Sequence, residues 1–300
     1  MTDYLKELYE LNPTREYLVA IDSDGCVFDA MGIKQRECFC PMMIAYFGLQ
    51  PVAEAARECK EFADLFSITR GANRHKTIVR ILTELLPNHP MVQNRSFQVP
   101  QLPHYVKWVT DPSSLLSEEG LKHMTEASEG QAKKEFETVF QWSVRVNELV
   151  AEIVKDIPPF PYARESLSKI VEYADIIVCS STPVEALSRE WSEHDIEKYA
   201  LFIAGQEMGS KAKHLSVMAE KYKPNKILMM GDAISDQHAA EINHVMFYPI
   251  NPGNEAESWK RFYDEAFEKF LNNTYASDYQ TKLKKEFCNY LPDTPSWMKK

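Results

Sequence analysis

No run of this sequence approaches the roughly 18 consecutive apolar residues that a membrane-spanning helix requires, so a bilayer-spanning protein is not an expected class. The opening residues, Met1 to Glu10, carry charges throughout and lack the apolar core of a secretion signal, which makes the cytoplasm the expected location. A cationic excess is missing too. Lys and Arg number 34 against 44 Asp and Glu, a formal net charge of -10, whereas phosphate backbones demand clustered Lys and Arg. Neither a nucleic acid nor a membrane is therefore an expected partner, although a local pocket for one small phosphorylated molecule is compatible with that balance. Cysteines paired at zinc spacing are absent: the six are scattered, and Cys38-Phe39-Cys40 has no second Cys/His pair. They read as reduced core thiols, with one reservation for Cys26 and Cys179, which flank the candidate chemistry and would make it oxidation-sensitive. The sequence holds no internal repeat and no low-complexity tract, and it leaves the oligomeric state open.

What is present begins with length. At 300 residues the chain exceeds a typical single domain, so a core with one inserted domain is expected, and 44% hydrophobic residues supply material for both. The organising stretch is Tyr17-Leu18-Val19-Ala20-Ile21-Asp22-Ser23-Asp24-Gly25. Its apolar run reads as a buried strand that ends in two carboxylates spaced i, i+2 and then turns at Gly25. Acids at the carboxyl end of a strand in an α/β sheet sit where such folds place ligands; the plainer alternative is a strand followed by an acidic turn. Later segments repeat the design. Ile176-Ile177-Val178-Cys179 runs into Ser180-Ser181-Thr182, and Lys226-Ile227-Leu228-Met229-Met230 runs into Gly231-Asp232-Ala233-Ile234-Ser235-Asp236. Between them Gly209-Ser210-Lys211 heads a helical stretch.

In this order the segments resemble the four motifs of the haloacid dehalogenase-like superfamily: DxDGxxxD (Asp22 to Asp29), a Ser or Thr after a strand (Ser180), a Lys (Lys211), and GDxxxD (Asp232 to Asp236). The resemblance covers both ends of the core and leaves about Ala30 to Pro161 outside it. It implies a doubly wound parallel α/β sheet, a Rossmann-like core, with an inserted all-helical cap of the C1 kind that closes over the active site. The chain pattern agrees. After the sharp break at Pro158-Pro159-Phe160-Pro161, expected helices at 162–172, 184–194, 210–221 and 235–243 alternate with expected strands at 175–179, 200–204, 226–230 and 245–249. Residues 255–289 are expected to add one or two helices packed on that sheet. Before the break, 31–47, 51–66, 73–86 and 128–157 carry helical apolar spacing, whereas 87–111, rich in Pro, Asn and Gln, reads as loop with one short helix at most. The expected domains are a catalytic core of 1–29 and 162–300 and a helical cap of 30–161.

Asp22, Asp24, Asp232 and Asp236 all fall at strand ends on one edge of the sheet and are expected to converge. Like charges that close together raise one another's pKa unless a counter-charge is present, and for hard oxygen ligands the expected one is Mg²⁺. No His or Cys cluster near these motifs suggests a softer metal. The roles follow from the resemblance. Asp22 is the nucleophile that forms an aspartyl-phosphate, and Asp24 protonates the departing alkoxide and later deprotonates water. Lys211 neutralises Asp22 and the phosphoryl oxygens, and Ser180 or its neighbour Ser181 donates a hydrogen bond to them. The expected metal set is Asp22, Asp24, Asp232 and Asp236, the last acting through water or by orienting Lys211. Plainer readings compete: Ser180 as a cap for the helix near Pro183, Lys213 in place of Lys211, and Asp29 satisfying amides of the turn. Cys26 stands where the family usually carries Thr.

In the insertion, Arg70, Arg74, His75 and Lys76 gather around one helix start, so Arg70 and Arg74 are candidates for holding an anionic substrate group; a solvated helix face is the alternative. Phe136, Phe140 and Trp142 are expected in the insertion's own core rather than in a stacking platform. The expected activity is that of a Mg²⁺-dependent hydrolase, a phosphatase for a small phosphorylated metabolite. Asp24 disfavours dehalogenation, which has no alkoxide to protonate. A phosphomutase of the same superfamily and a non-catalytic phosphate-binding scaffold are the alternatives, and the substrate's identity is not legible.

Overall fold

The structure, a computed structural model, describes residues 4–276 and 278–299. Five strands form one parallel sheet in the order β3-β2-β1-β4-β5, with β1 at Tyr17–Ile21, β2 at Ala174–Cys179, β3 at Phe202–Ala204, β4 at Ile227–Gly231 and β5 at Met246–Pro249. The central strand is β1. Leu18 to Ile21 pair with Asp175 to Val178 on one side and with Ile227 to Met230 on the other. Every residue of β2 and β4 is buried, as continuous apolar runs are when both faces of a parallel sheet are covered. On one face Leu18, Ala20, Ile177, Met229 and Phe247 share a core with Leu215, Met218, Ala239 and Phe287. The expected doubly wound parallel α/β fold is present. From β1 the chain builds outward through β2 to β3, then crosses to β4 and β5. That reversal beside β1 is the switch point at which α/β sheets open a crevice at their carboxyl ends.

The helices between strands, Ala163–Ile170, Val184–Glu193, Lys211–Ala219 and Ile234–Ile242, fall within a few residues of expectation. The C-terminal helix Asp278–Tyr290 packs on the sheet through Phe287, whose ring lies 5.7 Å from that of Phe247 in β5. No helix among the described residues is long and apolar enough to cross a membrane.

The chain divides into two compact units. The sheet-bearing unit is Met1–Met31 with Asp156–Leu291, and the other is Gly32–Lys155 with Pro292–Lys300. The second unit contains no strand among its described residues. Its core gathers Phe39, Phe47, Phe136 and Trp142, with Phe140 packed at the margin, so these aromatics are interior packing.

Three expectations need correction. Residues 87–111 hold two helices, Pro90–Asn94 and Pro103–Thr110, each opened by a proline whose missing N–H is not needed in a first turn. Richness in Pro therefore marked helix starts rather than loop. The segment after Leu291 belongs with the helical unit, not with the sheet: Arg80 Nη2 pairs with Asp293 Oδ1 at 3.0 Å, and the Trp297 ring packs on Phe62 at 5.7 Å and His89 at 5.2 Å. Cys288 is exposed, not a core thiol.

Candidate active site

The β1 ladder runs one residue past the strand, where the Asp22 N–H donates to the Met230 carbonyl at 3.0 Å. The chain then leaves the sheet. The Ser23 carbonyl collects the amides of Cys26, Val27 and Phe28 at 3.2, 2.8 and 3.3 Å, and Gly25 takes φ +81°, a conformation that costs glycine least. This turn leaves Asp22 buried at the strand end and Asp24 half-buried beyond it.

At the end of β4 the chain enters the helix Ile234–Ile242. Asp236, in its first turn, accepts from the amides of Asp232 and Ala233 at 3.1 Å each through Oδ2, which closes the helix N-terminus. Its Oδ1 accepts from Lys211 Nζ at 2.6 Å, and Asp22 Oδ2 accepts from the same ammonium at 2.5 Å. Lys211 is the first residue of its helix, behind Ser210, whose Oγ caps the Lys213 amide at 3.2 Å. A cation at a helix N-terminus opposes the helix dipole, so local helix stability does not account for it; its two carboxylate partners do. Lys213 instead donates to the Tyr9 hydroxyl at 2.6 Å, so the lysine brought to the acids is Lys211.

One carboxylate oxygen each from Asp22, Asp232 and Asp236 lie within 4.8 Å of one another, and all three residues are buried. Burial pushes the Asp22 carboxyl well above the usual carboxylate range; Lys211 opposes that shift, and Asp236 and Asp232 add to it. Burial by itself would lower the Lys211 pKa, but Asp22, Asp236 and Asp232 outweigh it and raise the value, so the ammonium stays charged. Three converging carboxylates against one ammonium leave a buried site short of positive charge. Oxygen-only donors with an excess of negative charge fit a hard divalent cation such as Mg²⁺. Asp24 is not in this group. Its Oδ2 accepts from Thr182 Oγ1 at 3.1 Å, because the turn at Gly25 carries its side chain toward the loop after β2. Of the four acids expected to converge, Asp22, Asp232 and Asp236 form the close group, and Asp24 accepts from Thr182 beside β2.

At the end of β2 the Ser180 amide donates to the Ala204 carbonyl at 3.0 Å, and its buried Oγ accepts from the Thr182 amide at 3.2 Å. Ser180 therefore caps its own turn and not the helix Val184–Glu193, whose first cap is Pro183 without a side-chain bond. Ser181 is exposed. Gly205 at the end of β3 makes this loop possible, since a Cβ there would stand 2.7 Å from the Thr182 carbonyl oxygen and the Val184 nitrogen. Thr182 is the functional candidate that reading the sequence missed; its place in the polar triplet after β2 was the available signal.

Arg70, Arg74 and His75 each find partners within their own unit. Arg70 is 5% exposed and its Nη1 donates to the Leu65 carbonyl at 2.9 Å. Arg74 Nη1 donates to Ser143 Oγ at 3.1 Å and Asn147 Oδ1 at 2.9 Å, with its guanidinium 4.8 Å from the Phe39 ring centre. His75 is buried against the Tyr105 hydroxyl at 2.9 Å, and only Lys76 is exposed. Arg70 and Arg74 are engaged within their own unit, which corrects the solvated-face expectation for these two residues. Cys26 and Cys179 are fully buried, and burial raises both thiols, which disfavours the thiolate that oxidation needs.

No family model and no curated protein matches this sequence. Among solved structures the fold is similar to that of a haloacid dehalogenase-like family hydrolase from Xanthomonas campestris, at 10% identity and TM-score 0.47, covering 87% of this chain and 94% of that one. It is also similar to a HAD-superfamily hydrolase of subfamily IA from Geobacter sulfurreducens, at 14% identity and TM-score 0.36, covering 78% and 86%. At such identities the likeness concerns the fold and says nothing of activity.

Proposed function

We propose that this chain is a Mg²⁺-dependent phosphatase of the haloacid dehalogenase-like type, acting on a small phosphorylated metabolite in the cytoplasm. The observation that carries the reading is Lys211, whose ammonium bridges the buried carboxylates of Asp22 and Asp236 with Asp232 beside them. A structural ion pair needs one acid, whereas three acids, from the ends of β1 and β4 and from the first turn of the helix after β4, meet here at the switch point of the sheet. Asp22 attacks phosphorus, the ester P–O bond breaks, and an aspartyl-phosphate forms. Asp24 gives its proton to the leaving alkoxide, then takes one from the water that releases inorganic phosphate. Thr182 orients Asp24 for both transfers. The Ser180 hydroxyl, whose acceptor side is occupied by the Thr182 amide, donates to a phosphoryl oxygen, and Lys211 offsets charge on Asp22 and on the phosphoryl group. Bound Mg²⁺ supplies the remaining positive charge, with Asp22, Asp232 and Asp236 as its holders.

The test is a screen of phosphorylated metabolites and p-nitrophenyl phosphate with and without Mg²⁺. Phosphate release should depend on the metal, stop in EDTA and return on adding Mg²⁺. Full turnover in EDTA, or none of any ester with Mg²⁺ present, would remove the reading. Recovery of the phosphoryl group on a second sugar hydroxyl would replace it with a mutase.

A further inference from the structure

Ser23 lies between the two acids, and its side chain serves neither of them. Its hydroxyl is fully buried; it accepts from Trp191 Nε1 at 3.0 Å and donates to Glu190 Oε2 at 3.0 Å. A hydroxyl with its donor committed one way and a strong donor facing its lone pair has a single orientation, so the bonds run from Trp191 through Ser23 to Glu190. Trp191 is itself fully buried, with its ring 6.2 Å from that of Phe28 in the same turn. The Ser23 backbone passes this fixation to the site. Its amide donates to Asp22 Oδ1 at 2.8 Å, and its carbonyl holds the three amides that shape the turn around Asp24. A tilt of Ser23 would therefore re-aim the Asp22 carboxylate directly and move Asp24 with the turn. Glu190 lies in the last turn of Val184–Glu193, the end at which the helix dipole disfavours a carboxylate, so helix stability does not explain an acid there.

The geometry points to Glu190, acting through Ser23, as a positioning residue that sets Asp22 and Asp24 for phosphoryl transfer; the inference rests on the phosphatase reading above. Small displacements suffice, since a misplacement of about 1 Å costs on the order of 10²-fold in rate.

The experiment compares Glu190→Ala, Glu190→Gln, Ser23→Ala and the double Ser23→Ala/Glu190→Ala variant in the full chain. Rates on p-nitrophenyl phosphate, Mg²⁺ affinity by calorimetry and thermal midpoints are measured together. Glu190→Ala and Ser23→Ala should each lower kcat by about 10-fold or more with KM within about twofold, and the double variant should lose no more than the worse single. Glu190→Gln, whose amide oxygen still accepts from Ser23, should keep kcat within about threefold of the parent. Mg²⁺ affinity should weaken by roughly fivefold in the Ala variants and stay near the parent in Glu190→Gln, because Asp22 belongs to the acidic group. Losses that add in the double variant, equal losses in Gln and Ala, or shifted midpoints with kcat and Mg²⁺ affinity intact would each overturn the inference. A parent that hydrolyses no phosphate ester defeats the functional reading instead, and the Mg²⁺ series then decides the positioning of Asp22 alone: unchanged affinity in the Ala variants overturns it. A parent that also fails to bind Mg²⁺ overturns both.

Discussion

Asp22 is buried and ion-paired to Lys211, whereas Asp24 is half-buried and accepts a hydrogen bond from Thr182, so the two acids should fail differently. Asp22→Asn removes the nucleophile and should lower the rate by at least ~10³ on any phosphate ester. Asp24→Asn should lower it by about 10² on alkyl phosphates and by much less on p-nitrophenyl phosphate, whose leaving group departs without a proton. Equal losses on both esters would take the acid role away from Asp24. Gly231 offers a test of space rather than of chemistry. A Cβ at this position would lie 2.4 Å from both Cβ and Oδ2 of Asp236, the oxygen that holds the amides of Asp232 and Ala233. Gly231→Ala should then displace Asp236, destabilise the protein by about 1–3 kcal/mol and weaken Mg²⁺ binding, readable by denaturation and calorimetry. An unperturbed midpoint and affinity would mean that the strand end has room to relax. The acids and Lys211 were legible because each stands in a short motif at a strand end. The Thr182 bond to Asp24 was not, since it depends on how the loop after β2 meets the turn after β1.

Elements were legible where periodicity and burial agree. The strands read well because a parallel sheet buried on both faces demands unbroken apolar runs, and the helices between them were bracketed by those runs. In the helical unit the same reasoning failed at Pro90 and Pro103, which open helices, and the solvated-face alternative failed for Arg70 and Arg74, which are engaged inside the unit. His75 is 2% exposed on the helix Arg74–Arg80, and burial, with the Arg74 charge second, lowers its pKa to about 4. In the unfolded chain an imidazole titrates near about 6.5. Between these values the unfolded chain binds a proton that the folded one does not, so this group's stability is complete above about 6.5 and is lost as pH falls toward 4. The thermal midpoint should therefore drop across that window, and His75→Gln should flatten part of the drop relative to the parent. Parallel pH profiles for parent and variant would show that His75 is not buried neutral.

At the scale of the molecule the chain passes between its compact units three times, at 31/32, 155/156 and 291/292. The expected insertion, 30–161, has its ends a few residues from the first two crossings. The third was not legible, because nine residues after a helix carry too little periodicity to reveal where they pack. Their contacts are specific nonetheless: the Trp297 ring meets Phe62 edge-on at 5.7 Å and His89 at 5.2 Å, Asp293 pairs with Arg80, and the Pro292 carbonyl accepts from the Ile68 amide at 3.4 Å. The exposed end of the ion pair adds little, since Asp293 is solvated, so the aromatic contact should dominate. Trp297 is only partly buried, which places Trp297→Ala below the usual loss for a core tryptophan, at about 1–3 kcal/mol. Hydrogen exchange should locate that loss in the helices Ala53–Leu65 and Pro90–Asn94, next to Phe62 and His89, while protection in β1 and β4 stays unchanged. Removal of residues 292–300 should reproduce and exceed the effect. If exchange instead rises first in the strands, the segment supports the sheet-bearing unit, and its assignment to the helical unit is wrong.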